Sequence, residues 1–327
     1  MKTLNTHRLK ILREVAARGT ITGAASALHL TGPAVSHQIG TLERELGVSL
    51  LERTPRSVRL TEAGRLLVRR AEAILAECEA AVAEVEAYTN DISGLVRVSL
   101  NEVPTEFHVQ MALRVHERHP ALEVVLTSMP PVEALGALRV GSLDVMLSME
   151  WEGRPAMARA GSTRHDLLTD SYVIVLPPEH PLAKGDGPLY LRDLAHERWC
   201  LPREPRFREV LERTMRAAGF QPWSVFEGSN AFGIATTVAM GFGIGIIPEG
   251  MDALLKGVVT RPLADPDLTR RIFALVRAGS ERSPAIRTVL EAMDEGAVEA
   301  VRRGVGSLPA ASSVLVGAPG ATRPAAH

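Results

Sequence analysis

The side chains best suited to chemistry in this 327-residue sequence form two neighbouring sets. The first is Thr31, Gly32, Pro33, Ser36 and His37. The second is three arginines, Arg53, Arg56 and Arg59. Ser36 and His37 offer hydrogen-bond donors and acceptors, and the residues before them are small or short-chained. A surface of that kind can approach a DNA major groove closely and read base edges. Evenly spaced arginines suit phosphate oxygens or a minor groove. The chemistry is recognition, with no bond made or broken. No Ser/His/Asp arrangement has supporting context, and no carboxylates pair around a candidate pocket, so the chain is read as a non-enzyme. His116 and His119 flank Glu117 near a helix end, where solvation is the commoner fate, so no metal and no cofactor is expected. Gly241-Phe242-Gly243-Ile244-Gly245 follows a helix and leads into a strand, the reverse of a dinucleotide-binding loop.

Two short helices must position the first set. Thr22 can cap a helix whose apolar face is Ala24, Ala25 and Leu28. After a break at His29-Leu30, Thr31 can cap a second helix, with Gly32 and Pro33 in its first turn. Val35, Ile39, Leu42 and Leu46 recur as one helical stripe, and Gly47 ends it. The small polar set lies off that stripe. Taken alone, it would read as an ordinary solvated face. What favours recognition is the next segment: Leu50-Leu51 and Val58–Leu60 flank the arginines, with a turn at Thr54-Pro55, as in a small basic hairpin. Leu9, Leu12 and Val15-Ala16 mark an earlier helix, ending near Gly19, that completes a three-helix core.

Charge follows the same division. Residues 1–65 hold ten Lys or Arg against five Glu, whereas residues 66–92 hold two Arg against six acids, in a chain of net charge −1. A basic head on an otherwise neutral-to-acidic chain suits a phosphate backbone. Cys78 and Cys200 fall in different predicted domains and make no disulfide framework. The N-terminus lacks the apolar core of a secretion signal, and no apolar run nears membrane-spanning length. A cytoplasmic protein with no membrane partner is expected.

From Thr61 to about Thr89 the pattern is one long helix. Leu67, Ala71, Ile74, Cys78, Ala81, Val85 and Tyr88 form a heptad seam. A second copy of the chain is the simplest cover for it; packing on the chain's own body is the alternative. Beyond Asn90–Gly94, strands alternate with helices, which predicts parallel sheet. The expected division is 1–60 head, 61–90 linker helix and 94–303 α/β region. The α/β region splits into one lobe of 94–161 plus 270–303 and another of 162–266. Residues 304–327, rich in Ala, Gly, Ser and Pro, are expected to be disordered.

The head closely resembles the N-terminal winged helix-turn-helix of LysR-type transcriptional regulators. The matching residues are Gly19–Thr22, Ala24-Ala25, Leu28, Pro33–Ser36, Gln38-Ile39, Leu42-Glu43, Leu46-Gly47, Leu50, Arg53 and Leu60–Gly64. Gly32 stands where the family often has glutamine, and Leu51 where it often has phenylalanine. His119-Pro120, Gly141–Val145 and His180–Ala183 resemble phrases of that family's effector domain. The resemblance implies α/β architecture with an all-α winged head and a two-lobe, Rossmann-like effector domain of the type 2 periplasmic-binding-protein plan. It also implies a linker helix that dimerises antiparallel, tetramers on double-stranded operator DNA, and a small-molecule co-inducer. The runner-up is a cytoplasmic sensor module with no DNA role.

In open α/β sheets, ligands sit beyond the carboxyl ends of strands, here between two lobes. The turns at those ends supply Asn101, Thr105, Ser128, Met129, Pro202, Arg203, Ser229 and Asn230 as candidate effector contacts. Helix-start amides there, with Arg203 and Arg206, can hold an acid. Glu102 and Glu106 act against one.

Overall fold

Asn5 opens the first helix: its side chain accepts from the amides of His7 (2.9 Å) and Arg8 (3.3 Å), two donors that a helix start leaves unpaired. In this computed structural model, which describes residues 3–53, 58–89, 92–100, 106–151, 161–251, 255–264 and 268–309, α1 runs Thr6–Arg18 and stops at left-handed Gly19. Helix α2 (Ile21–Ala27) is capped by Thr20, whose hydroxyl accepts from Gly23 N at 3.0 Å. The expected cap, Thr22, lies two residues later, inside the first turn. Thr20 is the residue in extended conformation, so only its side chain can reach back over the first turn. Helix α3 (Gly32–Leu46) begins at Thr31, which accepts from Ala34 N at 3.3 Å, and ends at left-handed Gly47. Val35, Ile39 and Leu42 are fully buried against α1, α2 and the following strand.

Strands β1 (Leu51–Arg53) and β2 (Val58–Leu60) pair antiparallel, with Leu51 opposite Leu60 and Glu52 opposite Arg59. Glu43 ties this hairpin to α3 by accepting from Leu50 N (2.7 Å) and Leu51 N (3.1 Å). Thr61 then donates to Ser49 O (2.8 Å) and accepts from Gly64 N (3.0 Å), which starts the long helix α4 (Glu62–Thr89). The crossing is so close that a Cβ on Gly64 would lie 2.1 Å from the Leu50 carbonyl oxygen. Gly64→Ala should therefore destabilise the head by about 1–3 kcal/mol. A lower thermal midpoint by circular dichroism, with loss of DNA binding, is the expected result; an unchanged midpoint would contradict the close crossing.

The heptad seam of α4 divides. Ala71 and Leu75 bury against Leu9 of α1, with Leu67 and Ile74 partly covered. Further along, Cys78 and Ala81 are exposed, and Val82 and Val85 are 58% and 68% exposed. The first half is thus covered by the chain's own body and the second presents an apolar face.

The α/β region follows as β3 (Gly94–Leu100), α5 (Glu106–Arg118), β4 (Leu122–Ser128), α6 (Pro131–Val140), β5 (Val145–Trp151) and β6 (Ser162–Asp170). Next come β7 (Tyr172–Leu176), β8 (Arg198–Pro202), α7 (Pro205–Ala217), β9 (Trp223–Gly228), α8 (Ala231–Ala239) and β10 (Ile244–Pro248). The region closes with β11 (Val259–Pro262), β12 (Arg270–Arg277) and α9 (Pro284–Arg302). Two five-stranded sheets result, in the orders β4-β3-β5-β12-β6 and β11-β7-β10-β8-β9. Pairing is parallel where helices return the chain, as between β3 and β4 or β8 and β9. It is antiparallel where β12 re-enters from the other lobe, and where β7 meets β10 and β11, so the sheets are mixed rather than all parallel.

The expected lobe boundary at 162 differs from the sheet division. Strand β6 pairs with β12 along its length, and the chain crosses to the second sheet at Ser171. Ser162–Asp166 carry no apolar alternation to mark them as a strand, because β6 is an edge strand whose polar residues find partners elsewhere. Arg164 pairs with Glu150 at 2.7 Å, and His165 meets Asp294 of α9 at 2.7 Å. The tail also departs from expectation at its start: Ser307 exchanges backbone hydrogen bonds with Thr169 (2.7 and 2.8 Å). Residues 310–327 lie outside the described residues.

Candidate nucleic-acid interface and effector cleft

Helix α3 separates its two sides by burial. Thr31, Pro33 and His37 are exposed, and Gly32 and Ser36 are half-buried, while the Val35–Ile39–Leu42 stripe has no exposure at all. The small polar side is therefore outward and the apolar side is clamped beneath. Gln38 is drawn aside: its Oε1 accepts from Arg8 Nε at 3.1 Å, and Arg8 also pairs with Glu45. Arg44 lies along the same side as His37, donating to Thr41 Oγ1 (2.8 Å) and Gly40 O (3.3 Å). It was missed in the sequence, although it falls seven residues after His37 and so shares its helix face. Arg59 is exposed on β2. Arg53 ends β1, and Arg56 lies outside the described residues. Gly32, Pro33, Ser36 and His37 thus share one helix with Thr31 as its cap, and Arg59 stands on the adjoining hairpin.

The α/β region holds a cleft where β5, β7 and β12 meet at the crossover. Its lining includes Trp151, Tyr172, Glu204, Phe207 and Arg270, together with Pro202, Ser229 and Asn230. Of the candidates from the sequence, those last three are brought together. Arg203 is exposed beside the cleft, its amide donating to Gly228 O at 2.8 Å. Ser128 is exposed at the end of β4, and Met129 packs against the α6 cluster; neither lines the cleft. Asn101 and Thr105 lie outside the described residues.

Sequence reasoning missed the aromatic wall. Phe207 stacks on Tyr172 (centroids 4.3 Å apart) and on Trp151 (5.5 Å), and Trp151 Nε1 donates to the Tyr172 hydroxyl at 2.8 Å. A signal existed: with only three Trp and three Tyr in the chain, one of each falls at the two strand ends that border the crossover. Beneath the rings, Arg270 grips Asp170 through Nε–Oδ1 (2.6 Å) and Nη2–Oδ2 (2.8 Å). Burial pushes the Asp170 carboxyl up, although Arg270 pulls it down. His108 in α5 is pushed down to about 4, chiefly by burial and then by the charge of Arg270, so its ring is neutral at pH 7.

The helix-start amides in this lobe differ from expectation. At α7, Glu204 Oε1 accepts from Arg206 N (3.1 Å) and Oε2 from Phe207 N (2.6 Å). At α8, Asn230 Oδ1 accepts from Gly233 N at 2.9 Å. The chain caps both helices itself. The glycine run ending α8 is a packing turn: a Cβ on Gly243 would lie 2.4 Å from Arg198 O, and one on Gly245 2.6 Å from Ile234.

Head and first lobe also touch. Arg13 of α1 is buried, and a Cβ on Gly141, at the C-terminal end of α6, would lie 3.6 Å from its Nη2. Lysine or arginine is favoured at a helix C-terminus by the dipole. Glu72 of α4 sits in the same junction; burial raises its carboxyl, opposed by Arg139, Arg13 and Arg69. Cys78 is exposed and Cys200 is buried, its thiol pushed up to about 11 mainly by burial. Among the described residues, no group of three or more His, Cys, Asp or Glu is placed to hold a metal, and no helix is long and apolar enough to cross a membrane.

Comparison with known proteins agrees with this anatomy. Residues 6–65 match the model for bacterial regulatory helix-turn-helix proteins of the lysR family, and residues 89–297 match the LysR substrate binding domain. A probable hydrogen peroxide-inducible genes activator of Streptomyces viridosporus is 30% identical over 88% of this chain and 93% of its own length. The transcriptional dual regulator GltC of Bacillus subtilis is 26% identical over 87% and 94%. A full-length OxyR variant from Pseudomonas aeruginosa shares the fold, with a TM-score of 0.68 at 20% identity, covering 90% of this chain and 95% of that one. Full-length CbnR complexed with its target DNA aligns at a TM-score of 0.53 and 22% identity, over 90% and 100%. The chain belongs to the lysR family of bacterial helix-turn-helix regulators, DNA-binding transcription factors that respond to small molecules.

Proposed function

We propose that α3 enters the major groove of an operator with Ser36 and His37 at base edges and with Thr31, Gly32 and Pro33 letting the helix start approach closely. Arg53, Arg56 and Arg59 hold phosphates or reach the minor groove from the hairpin, and Arg44 adds charge along the helix. The single observation that carries this reading is the split of α3 into an outward polar side and a fully buried apolar side. Two heads act together. The exposed Val82 and Val85 on α4 suit a second copy of the same helix, since a copy supplies a matching apolar face. Dimers pair into tetramers, as the family resemblance implies.

The effector occupies the cleft at the crossover, with Pro202, Ser229 and Asn230 among its contacts, and Asn101, Thr105, Ser128, Met129 and Arg203 as outer candidates. Its binding shifts one lobe against the other. Because Arg13 seats the head on the end of α6, movement of the first lobe reaches the recognition helix through α1. Two curated relatives are named as peroxide-inducible gene activators. Thiol oxidation needs an accessible thiolate, and Cys200 offers neither access nor ionisation.

Fluorescence anisotropy tests the whole reading. The full chain should bind the duplex beside its own gene at least a thousandfold more tightly than a scrambled duplex. The logarithm of affinity should fall linearly with the logarithm of salt concentration. Equal, salt-insensitive binding to both duplexes would instead favour a sensor without a DNA role.

A further inference from the structure

Trp151 ends β5 of the first sheet, yet its ring packs into the core of the second lobe, stacked on Phe207 of α7 with centroids 5.5 Å apart. Arg270 and Asp170 close the crossover beside it. A backbone segment, residues 304–309, adds a hold on both lobes. Gly304, at φ +88°, ends α9, and the Val305 amide turns back to donate to Ala300 O at 3.0 Å. Ser307 then exchanges its two backbone hydrogen bonds with Thr169, at 2.7 and 2.8 Å, on the edge of β6 that faces away from β12. Gly306 (φ +70°) passes so close that a Cβ there would collide with the Thr169 carbonyl. On the other lobe, Val305 rests on Gly250 just past β10: a Cβ on Gly250 would lie 2.9 Å from Val305 Cγ1. One short segment therefore grips the first lobe through Ser307 and the second through Val305. A rotation of the second lobe about the crossover at Ser171 changes the separation of Gly250 from Thr169, so the segment cannot keep both contacts.

We propose that residues 304–309 are a latch that holds the two lobes at their resting angle and must release before the lobes rotate. Its biological consequence rests on the reading that lobe movement is the signal passed to the head. The latch itself is a property of the chain that can be measured without DNA or effector.

Trp151 reports on it. The ring is 4% exposed, with Phe207 of the other lobe stacked upon it, whereas Trp199 is fully buried within the second lobe and Trp223 is 63% exposed. In a Trp223→Phe background, acrylamide should therefore quench the full chain weakly. Ser307→Pro removes the N–H that donates to Thr169 and sets a ring against that carbonyl. It should raise the quenching constant at least twofold while far-ultraviolet circular dichroism stays unchanged. Val305→Ala keeps the backbone bridge and loosens the grip on Gly250, so it should raise quenching as well; it decides the matter if Ser307→Pro does not fold. Ser307→Ala keeps the bridge and trims only an exposed side chain, so it should match the background. Quenching unchanged in both Ser307→Pro and Val305→Ala would overturn the proposal. So would a rise from Ser307→Pro with none from Val305→Ala, since the segment would then only prop the end of β6. A rise from Ser307→Ala would overturn it too, by moving the effect from the bridge to the side chain. Release as expected, in variants whose operator affinity is untouched, supports the latch and counts against lobe rotation as the signal to the head.

Discussion

Replacing Arg270 with alanine is expected to destabilise the full chain by about 3–5 kcal/mol at pH 7, because it strands a buried carboxylate. The Asp170 side chain is 3% exposed and its partner 12%, so neither charge is screened by water to any extent. The expected loss is a large part of the roughly 5–15 kcal/mol that a folded protein commands. The two residues also end β6 and begin β12, the strands that border the crossover, so lobe geometry should loosen along with stability. The pH dependence has a defined sign. The Asp170 carboxyl lies above its ordinary range in the folded protein, since burial outweighs the pull of Arg270. A carboxyl raised in this way binds its proton more readily folded than unfolded. It therefore subtracts stability above its folded pKa, and that penalty disappears as pH falls towards the unfolded value. Removing Arg270 raises the carboxyl further and widens the window. The deficit of Arg270→Ala should shrink as pH falls below the raised folded pKa towards the unfolded value. Urea unfolding followed by tryptophan fluorescence reads this directly, since Trp151 stands in the same cleft. A deficit below 1 kcal/mol, or one unchanged by pH, would show that the pair is not what closes the crossover.

His37→Ala should reduce discrimination between operator and random DNA by about 1–3 kcal/mol per head, the range for a good base-edge contact. On an operator with two half-sites the effect is felt twice. Stability should change by less than about 0.5 kcal/mol, because His37 is exposed and its side chain supports no core contact. Arg59→Ala should act differently. A phosphate contact carries no sequence information, so affinity for every duplex should fall alike, and the salt slope should drop by about one for each head. Titrations of both variants against operator and scrambled duplexes over a salt series separate the two roles. Parallel losses on both duplexes from both variants would argue against α3 as the reading helix.

Much of the head was legible because its determinants are local. Thr31, Pro33 and Gly47 mark helix ends by their own chemistry, and the spacing of Val35, Ile39 and Leu42 marks a buried stripe without reference to the rest of the chain. The cap of α2 shows the limit. Thr20 and Thr22 are the same residue type two positions apart, and only backbone conformation decides which one faces the free amides. Strand β6 shows a second limit: its polar first half looks like a connection until β12, a hundred residues later, is laid beside it. In the cleft, the strand-end rule led to Pro202, Ser229 and Asn230, which neighbour one another along a single sheet edge.

The sequence by itself determined the winged head, the long linker helix, the alternation that builds an α/β domain and the surplus of positive charge where DNA would lie. These follow from periodicity, caps and composition, which act over a few residues. Only the tertiary structure decided that β6 belongs to the first sheet, that Arg13 of α1 lies against the C-terminal end of α6, and that Trp151, Tyr172 and Phe207 stack as one aromatic cluster. Those contacts join residues far apart in the chain, and burial alone turns Asp170 and Arg270 from ordinary charges into a closed pair. No local pattern encodes them, because their energy arises from the water removed when distant segments meet.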